Sequence, residues 1–418
     1  MRATGRAVPG WPLAVVCLYA ALLPLQPVVV LPDGSPLRFA AADALAPLIF
    51  LAALIRPRRR IPFGLAALAI AIPVLALLST LFAAVYRSLS LYAIGKTAGL
   101  FYLVALCLAA VRCTGRDDGP AVVRALAWGA FWSAVIGLVG FVAYLGGHDT
   151  SLVEWGRLCS TMAGDPNIYG SLVAIGLLAT ATDRAASPMS RVGRTIVLTI
   201  ALLATGSRSA VLGTGAAFVL CALIRDRDPF VAAARNAYFL LAAGLIVLGF
   251  LVTDTGSAGA TRLWEHHWRD FTVESRLDLY RVALQEFADH PVMGLGIGGF
   301  RELNAFEHGE GLGHFVVHNT YLWAFVDLGV AGGMLVAGLI GGAIWRAIRA
   351  ARGRPATASA AVVASGLAAM AVFNLFIDGF YQRHFWVLVA CAIGMPVYHP
   401  VRRVAARAWR PATAPSTS

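Results

Sequence analysis

One long polar interval interrupts the apolar spans of this chain, and it runs from residue 254 to residue 319: DTGSAGATRLWEHHWRDFTVESRLDLYRVALQEFADHPVMGLGIGGFRELNAFEHGEGLGHFVVHN. Five arginines stand against ten carboxylates within it. It also holds six of the nine histidines: His266, His267, His290, His308, His314 and His318. His318 and Asn319 close the interval where an apolar helix is predicted to begin. The sequence therefore places a titratable imidazole on a rigid support at a membrane surface, a suitable position for proton transfer on a membrane-bound substrate.

The rest of the composition defines the fold class. Of the 418 residues, 59% are hydrophobic and only 13% are charged, which is more apolar surface than a water-soluble core can bury. With about 20 apolar residues for each crossing, the chain divides into about twelve spans. We therefore predict an all-α polytopic membrane protein with about 12 transmembrane helices and one large periplasmic loop between helices 9 and 10.

The arginines set the orientation of these spans. The net charge of +12 comes from arginines in short connectors, such as the run at 56–60, and every second connector is arginine-rich. This positive-inside pattern puts both termini in the cytoplasm and the long interval outside, and it argues against a nucleic-acid partner. The predicted domains are helices 1–9 (1–253), the periplasmic loop with short amphipathic helices (254–319), helices 10–12 (320–400) and a disordered cytoplasmic tail (401–418).

Two arginines outside the long interval are predicted on the same outer face. Arg208 lies in Gly206-Ser207-Arg208-Ser209, which breaks an apolar run, and its planar fork of donors suits a phosphate. The alternative is an arginine that snorkels from a tight turn. Arg157 precedes Asp165-Pro166, whose residue types are those of an ordinary helix start and favour a structural role.

Within the interval, Ser275-Arg276-Leu277-Asp278 resembles a capping box that opens a helix to about Ala288. Arg276 would then lie in the first turn, where the helix dipole adds to its attraction for an anion. A solvated first-turn arginine is the alternative. One side of the predicted helix is apolar: Leu277, Tyr280, Leu284 and Phe287.

Two further patterns carry weaker signals. Glu310, His314 and His318 are spaced by four as metal ligands on a helix would be, but Gly311 and Gly313 interrupt such a helix and the HExxH order is missing. We expect neither a metal nor another cofactor. The run GLGIGG at 294–299 follows no predicted strand, so we interpret it as a flexible connection that lets the loop fold back.

A longer pattern surrounds the histidine. His318-Asn319, nine residues and then Gly329-Val330-Ala331-Gly332 fit H-[NSQ]-x9-G-x2-[GTY], which resembles the signature of the O-antigen ligase family. That family lies in a wider group that includes Wzy-type O-antigen and exopolysaccharide polymerases. The GSRSA arginine, the SRLDLYRVAL segment and the GDPN before a span are similar as well.

The resemblance implies a metal-independent, inverting glycosyltransferase of the bacterial inner membrane. It would transfer a glycan from undecaprenyl diphosphate to an acceptor hydroxyl on the periplasmic face. Arg208 and Arg276 would hold the diphosphate, and His318 would accept the proton of the acceptor. Five further residues would bind substrate: Arg157, Asn319, Lys96, Arg281 and Arg383.

Three functions stay open at this point. A ligase joins the glycan to lipid A core, a Wzy-type polymerase joins it to another lipid-linked repeat, and both share the three catalytic residues. A polysaccharide transporter or flippase with twelve spans is the third function, and it predicts two similar halves and charges near mid-membrane. Because buried-looking ionisable groups are few (Asp43, Lys96 and Asp327) and the polar mass lies in one loop, we favour the enzyme.

Overall fold

The structure is a computed structural model of the protein, and it describes residues 10–26, 28–30, 36–38, 40–55, 61–86, 89–115, 117–154, 156–162, 165–183, 185–225, 271–307, 316–353 and 358–395. Helices dominate these residues. In chain order they are α1 (Trp11–Leu22), α2 (Ala46–Ile55), α3 (Phe63–Ala83), α4 (Leu91–Cys113), α5 (Gly119–Leu145), α6 (Pro166–Thr182), α7 (Pro188–Ala204), α8 (Arg208–Arg225), α9 (Phe271–Asp289), α10 (Gly299–Glu307), α11 (Thr320–Arg352), α12 (Ala358–Phe373) and α13 (Arg383–Gly394). A 3-10 turn, Ala41–Leu45, leads into α2.

Several of these helices fit a bilayer. Among the described helices, α3, α4, α5 and α11 are long and apolar enough to cross a membrane, and α1, α2, α6, α8, α12 and α13 are shorter apolar helices. Their outer faces present large apolar side chains, such as Phe63 at 86% and Leu91 at 81% exposure. Because such a surface needs an apolar solvent, the structure supports the predicted membrane protein.

The all-α prediction is correct for most of the described residues but wrong in detail. Two short antiparallel hairpins are present, β1 (Val28–Val30) with β2 (Pro36–Arg38) and β3 (Val153–Glu154) with β4 (Arg157–Leu158). In the second hairpin, the turn is permitted by Gly156 at φ +72°. The predicted ninth span (238–252) and the tail (401–418) lie outside the described residues, so the count of twelve helices and the loop position stay predictions.

Helix α11 is broken at Gly329, where φ is +71° and ψ is −172°. An added Cβ there would overlap the carbonyl of Val292, so only glycine permits this approach of the two backbones. The peptide N–H of Val330 donates to the Pro291 carbonyl at 2.8 Å. The break therefore lets the segment after α9 pack directly against the middle of a membrane helix.

The glycine-rich run at 294–299 folds back as predicted, but it is buried and hydrogen-bonded rather than a flexible connection. The N–H of Leu295 donates to the Val326 carbonyl at 2.8 Å, and the N–H of Ile297 donates to Thr80 Oγ1 at 3.1 Å. Gly298, at φ +76°, closely approaches Tyr92 of α4. These bonds fix the loop between α3, α4 and α11.

Asp327 holds the same loop from the other side. It is 1% exposed, and its carboxylate accepts N–H bonds from Gly298 (2.8 Å), Phe300 (3.2 Å) and the Trp323 indole (2.8 Å). A buried carboxylate is costly unless several donors satisfy it, as they do here. Asp327 is therefore a structural anchor that joins α10 to α11.

Candidate active site

His318 occupies a strained position immediately before α11. Its φ is +50°, a left-handed conformation that few non-glycine residues adopt. Asn319 caps the helix, because its Oδ1 accepts the N–H groups of Tyr321 and Leu322 at 3.0 Å each. The hydroxyl of Tyr280 in α9 donates to the His318 carbonyl at 3.2 Å. The backbone of His318 is therefore held at a helix start, as predicted.

The surroundings of His318 keep its imidazole neutral. Burial, the larger cause, and the nearby positive charge of Arg276 together lower the pKa of His318 to about 4. Its Nδ1 is buried and has no hydrogen-bond partner among the residues that the structure describes. At neutral pH the side chain is therefore an unprotonated base.

Arg276 lies beside His318, but not where the sequence placed it. The predicted helix start at Ser275 is wrong, because α9 begins at Phe271 and Arg276 falls in its second turn. The helix dipole therefore contributes little at this position, since its effect is confined to the first turn.

The predicted apolar side of α9 is also partly wrong. Leu277 and Leu284 are 50% and 56% exposed, whereas Leu279 and Ala283 are buried. The helix is turned so that this second pair faces the protein, since α9 packs on α11. Arg276 itself is half-buried.

Arg208 is the first residue of α8, and its side chain is exposed. The turn before it is tight: Gly206 has φ +59°, and Ser207 Oγ accepts the N–H of Ala210 at 3.4 Å. The helix dipole repels a positive side chain at the helix N-terminus. An anion, by contrast, is attracted by the helix dipole and by the arginine. An anion-binding role for Arg208 therefore stays a prediction that this local geometry permits.

Arg157 connects these groups. Its Nε donates to the Thr205 carbonyl at 2.8 Å, and its Nη2 donates to Asn167 Oδ1 at 2.7 Å. Burial lowers the pKa of Arg157 to about 10; Asp165 opposes this, and the charges of Arg276 and Arg208 add to it. The structure therefore brings Arg208 and Arg276, from separate parts of the chain, close enough for their charges to act on Arg157, and the charge of Arg276 acts on His318 as well.

Asp165 has the structural role that the sequence favoured. Its Oδ1 accepts the N–H groups of Asn167 (3.0 Å) and Ile168 (3.1 Å) at the start of α6. Asn167 then orients Arg157, so the cap and the arginine form one unit. Sequence reasoning missed Asn167, Thr205 and Tyr280 as positioning residues, although Asn167 stands in the GDPN segment that drew attention.

Three residues predicted to bind substrate are engaged elsewhere. Arg281 forms an i, i+3 ion pair with Asp278 at 2.9 Å, and both side chains are mostly exposed. Arg383 Nε donates to Asp43 Oδ1 at 2.9 Å. Lys96 Nζ lies 3.7 Å from Asp378 Oδ2 and 4.0 Å from the centre of the Tyr381 ring.

No described contact joins Arg281, Arg383 or Lys96 to the arginine cluster, defined here as Arg157, Arg208 and Arg276. Arg281 and Arg383 are therefore left out of the site proposed below. Asn319 adjoins the cluster through its neighbour His318 and keeps its capping role. Glu310 and His314, from the metal hypothesis, lie outside the described residues.

The sequence that contributes most of this site is similar to a known family. Residues 195–337 match the family model described as O-antigen ligase. The match spans about a third of the chain and includes Arg208, Arg276 and His318, whereas Arg157 precedes it. It confirms the resemblance to the O-antigen ligase family. No curated protein matches the chain at a significant level. The O-antigen ligase domain and the apolar helices together support a membrane enzyme of the ligase or polymerase type.

Proposed function

We propose that this protein is a metal-independent, inverting glycosyltransferase that takes a glycan from undecaprenyl diphosphate and joins it to an acceptor hydroxyl on the periplasmic face of the inner membrane. The observation that carries the proposal is the convergence of three arginines and an unprotonated histidine within and beside the O-antigen ligase domain.

The arginine cluster suits the donor. As the anomeric C–O bond breaks, negative charge grows on the departing diphosphate, and preorganised cations stabilise that charge. Arg208 and Arg276 would contact the diphosphate, and Arg157 would support them. Arg157 is already held by the Thr205 carbonyl and Asn167, so it loses little freedom when an anion binds. Fixed arginines supply this stabilisation themselves, and for that reason we propose a reaction without a metal.

His318 suits the acceptor. Its neutral imidazole would accept the acceptor O–H proton as the oxygen forms a bond to the anomeric carbon and the diphosphate leaves from the opposite side. A pKa of about 4 makes a weak base in the empty site. A bound diphosphate would offset the charge of Arg276 and raise the pKa of His318, so the base would strengthen once the donor is in place.

The test is transfer by the purified full-length protein in detergent with a chelator present. Glycan-loaded undecaprenyl diphosphate is the donor, and lipid A core and a second lipid-linked repeat are the two acceptors. We expect a covalent product with one of them, which also separates ligase from polymerase. A transporter would give no covalent product.

Variants then assign the roles. His318→Asn keeps a residue that tolerates positive φ and should lower kcat by about 10²–10⁴-fold. Arg208→Ala should lower it by about 10²–10³-fold. Arg281→Ala, on the surface of α9, is the matched control and should retain wild-type rates. If His318→Asn and Arg208→Ala transferred at the wild-type rate, the assigned roles would be wrong.

A further inference from the structure

The connection between α12 and α13, residues 374–382, folds against the start of α11. The function proposed above uses none of its residues. It meets α11 at Thr320, two residues after His318. Thr320 is fully buried, and so is Asn374, the first residue of the connection. A buried segment in this place can set the position of the proposed base.

Thr320 makes three hydrogen bonds to this connection. Its N–H donates to the Asn374 carbonyl at 2.8 Å, and its hydroxyl donates to the Ile377 carbonyl at 3.0 Å. The same hydroxyl accepts the N–H of Gly379 at 3.1 Å. The Thr320 hydroxyl therefore satisfies one carbonyl and one N–H in a buried place, and a side chain without a hydroxyl would leave both without that bond.

The bond to Asn374 also completes the start of α11. The first N–H groups of a helix have no partner within the helix, so other acceptors must satisfy them. Asn319 Oδ1 accepts those of Tyr321 and Leu322, and the Asn374 carbonyl accepts that of Thr320. The N-terminus of α11 is therefore held partly by its own cap and partly by the α12–α13 connection.

A second bridge joins His318 to the same connection. The Tyr280 hydroxyl lies 3.2 Å from the His318 carbonyl and 3.2 Å from the Leu375 carbonyl. It has one proton, which the two carbonyls share. His318 and the connection are thus bridged through α9, the helix that carries Arg276 one turn before Tyr280.

The backbone of His318 needs such support. Its φ of +50° is unfavourable for a residue with a Cβ, and such conformations persist where the surrounding structure fixes them. Thr320 fixes the chain on the helix side of His318, and Tyr280 holds the His318 carbonyl. Without these bonds the chain at His318 would be free to return to a negative φ and would carry the imidazole with it.

We propose that Thr320 is a positioning residue for the transfer reaction: its hydroxyl and its N–H join the α12–α13 connection to α11 and so hold His318 in the orientation that accepts the acceptor proton. The proposal rests on the proposed transferase function and extends it to a buried residue that acts through the base. A general base works within hydrogen-bond distance, and a displacement of about 1 Å is enough to lower a rate by about 10²-fold.

The experiment compares two substitutions of Thr320 in the full-length protein in detergent. Thr320→Val has almost the same shape but no hydroxyl, so it removes the side-chain bonds to Ile377 and Gly379. It should lower kcat about tenfold or more and leave the donor KM unchanged, because the arginine cluster is not altered. Thr320→Ser restores the hydroxyl and should keep kcat close to the wild-type value.

An NMR titration of the histidine side chains gives a readout without turnover. Burial is the larger cause of the low pKa of His318, about 4, so an imidazole that leaves its buried position should titrate closer to 6.5. We expect this pKa to rise in Thr320→Val and to keep its wild-type value in Thr320→Ser. The charged or titratable groups that the described contacts place beside His318 are Arg276 and Tyr280, and both variants retain them. A purely stabilising role for Thr320 would lower the melting temperature without moving the pKa.

Two further variants provide a control and a second test. Thr180 of α6 is also fully buried, and its hydroxyl has no hydrogen-bond partner among the residues that the structure describes. Thr180→Val therefore makes the same chemical change with no described bond to lose, and it should keep both kcat and the pKa of His318. Tyr280→Phe removes the other bridge and should shift both quantities in the same direction as Thr320→Val. It tests the inference if Thr320→Val fails to fold.

The outcomes separate this inference from the proposed function. The inference is overturned if Thr320→Val and Tyr280→Phe keep the wild-type kcat and His318 pKa, if Thr320→Ser loses as much activity as Thr320→Val, or if the donor KM changes instead of kcat. Because the NMR titration needs no substrate, it reports on the position of His318 whether or not the wild-type protein forms a covalent product. A wild-type protein that forms none, but whose His318 pKa responds to Thr320→Val, would refute the transferase function and keep the role of Thr320 in holding His318.

Discussion

The charge of Arg276 acts on the proposed base, and removing it gives a measurable shift. The ordinary pKa of histidine is 6.5, and in this site that of His318 is about 4. At 1.36 kcal/mol for each pH unit, the difference corresponds to roughly 3 kcal/mol in favour of the neutral form. Burial is the larger cause and Arg276 the smaller. Arg276→Gln should therefore raise the pKa of His318, but by less than half of the difference.

The assay is the pH dependence of kcat/KM, whose acid limb reports the free enzyme's essential base. In the wild-type protein we expect activity to fall as the pH drops through about 4. In Arg276→Gln the acid limb should move to higher pH, because the pKa of His318 rises. The value of kcat/KM at neutral pH should fall, because a proposed contact to the diphosphate is lost. An NMR titration of the histidine side chains measures the pKa of His318 without turnover. The His318 signal is assigned as the one that is missing in the His318→Asn variant.

Arg281→Gln, which removes an exposed cation from the same helix, should leave the acid limb where it is. A wild-type limb near pH 6.5, or the same limb in the wild type and in Arg276→Gln, would refute the reasoning that burial and Arg276 keep His318 neutral.

Three further predictions concern stability, measured by thermal or denaturant unfolding in detergent. Gly329→Ala should lower the melting temperature and abolish transfer, because its Cβ would overlap the Val292 carbonyl and displace the loop from α11; a normal melting temperature would contradict this. Asp165→Ala should lower the free energy of unfolding by about 1 kcal/mol through loss of the α6 cap, whereas Asp165→Asn keeps a capping oxygen and should lose less. Folding depresses the pKa of His318, so the unfolded chain binds more protons than the folded one between pH 4 and 6.5. The stability that depends on His318 is therefore fully present above pH 6.5 and is lost as the pH falls to about 4. The loss in the free energy of unfolding should be roughly 3 kcal/mol. That loss should be absent in His318→Asn.

The catalytic candidates could be found from the sequence because each breaks an apolar pattern. His318 and Arg208 stand where a polar residue meets the start of an apolar helix, and Arg276 is part of a recognisable segment. The contacts that would bring these residues to one site cannot be derived from local sequence patterns. The contacts that bring them together are long-range, such as the bond from Arg157 to the Thr205 carbonyl, and no local periodicity encodes them.

The errors have physical causes as well. Ser275 has the residue type of an N-cap, but α9 begins one turn earlier, at Phe271, so the local preference of one residue did not decide the helix start. The glycines at 294–298 indicated flexibility, whereas the structure uses their positive φ values to bring backbone N–H groups onto Asp327. Arg383 and Lys96 were predicted to bind substrate because their carboxylate partners cannot be recognised from the sequence. Asp43 and Asp378 lie far from them along the chain and belong to no motif.

The effect of the Arg208 and Arg276 charges on Arg157 bears on how the proposed catalytic cycle would end. A bound polyanion would offset the charges of these arginines, and the spent carrier has one more negative charge than the loaded one. The carrier would therefore be held most tightly after its glycan has gone. Its escape into the bilayer would then be slowed by this attraction, and added inorganic diphosphate would compete with the loaded carrier.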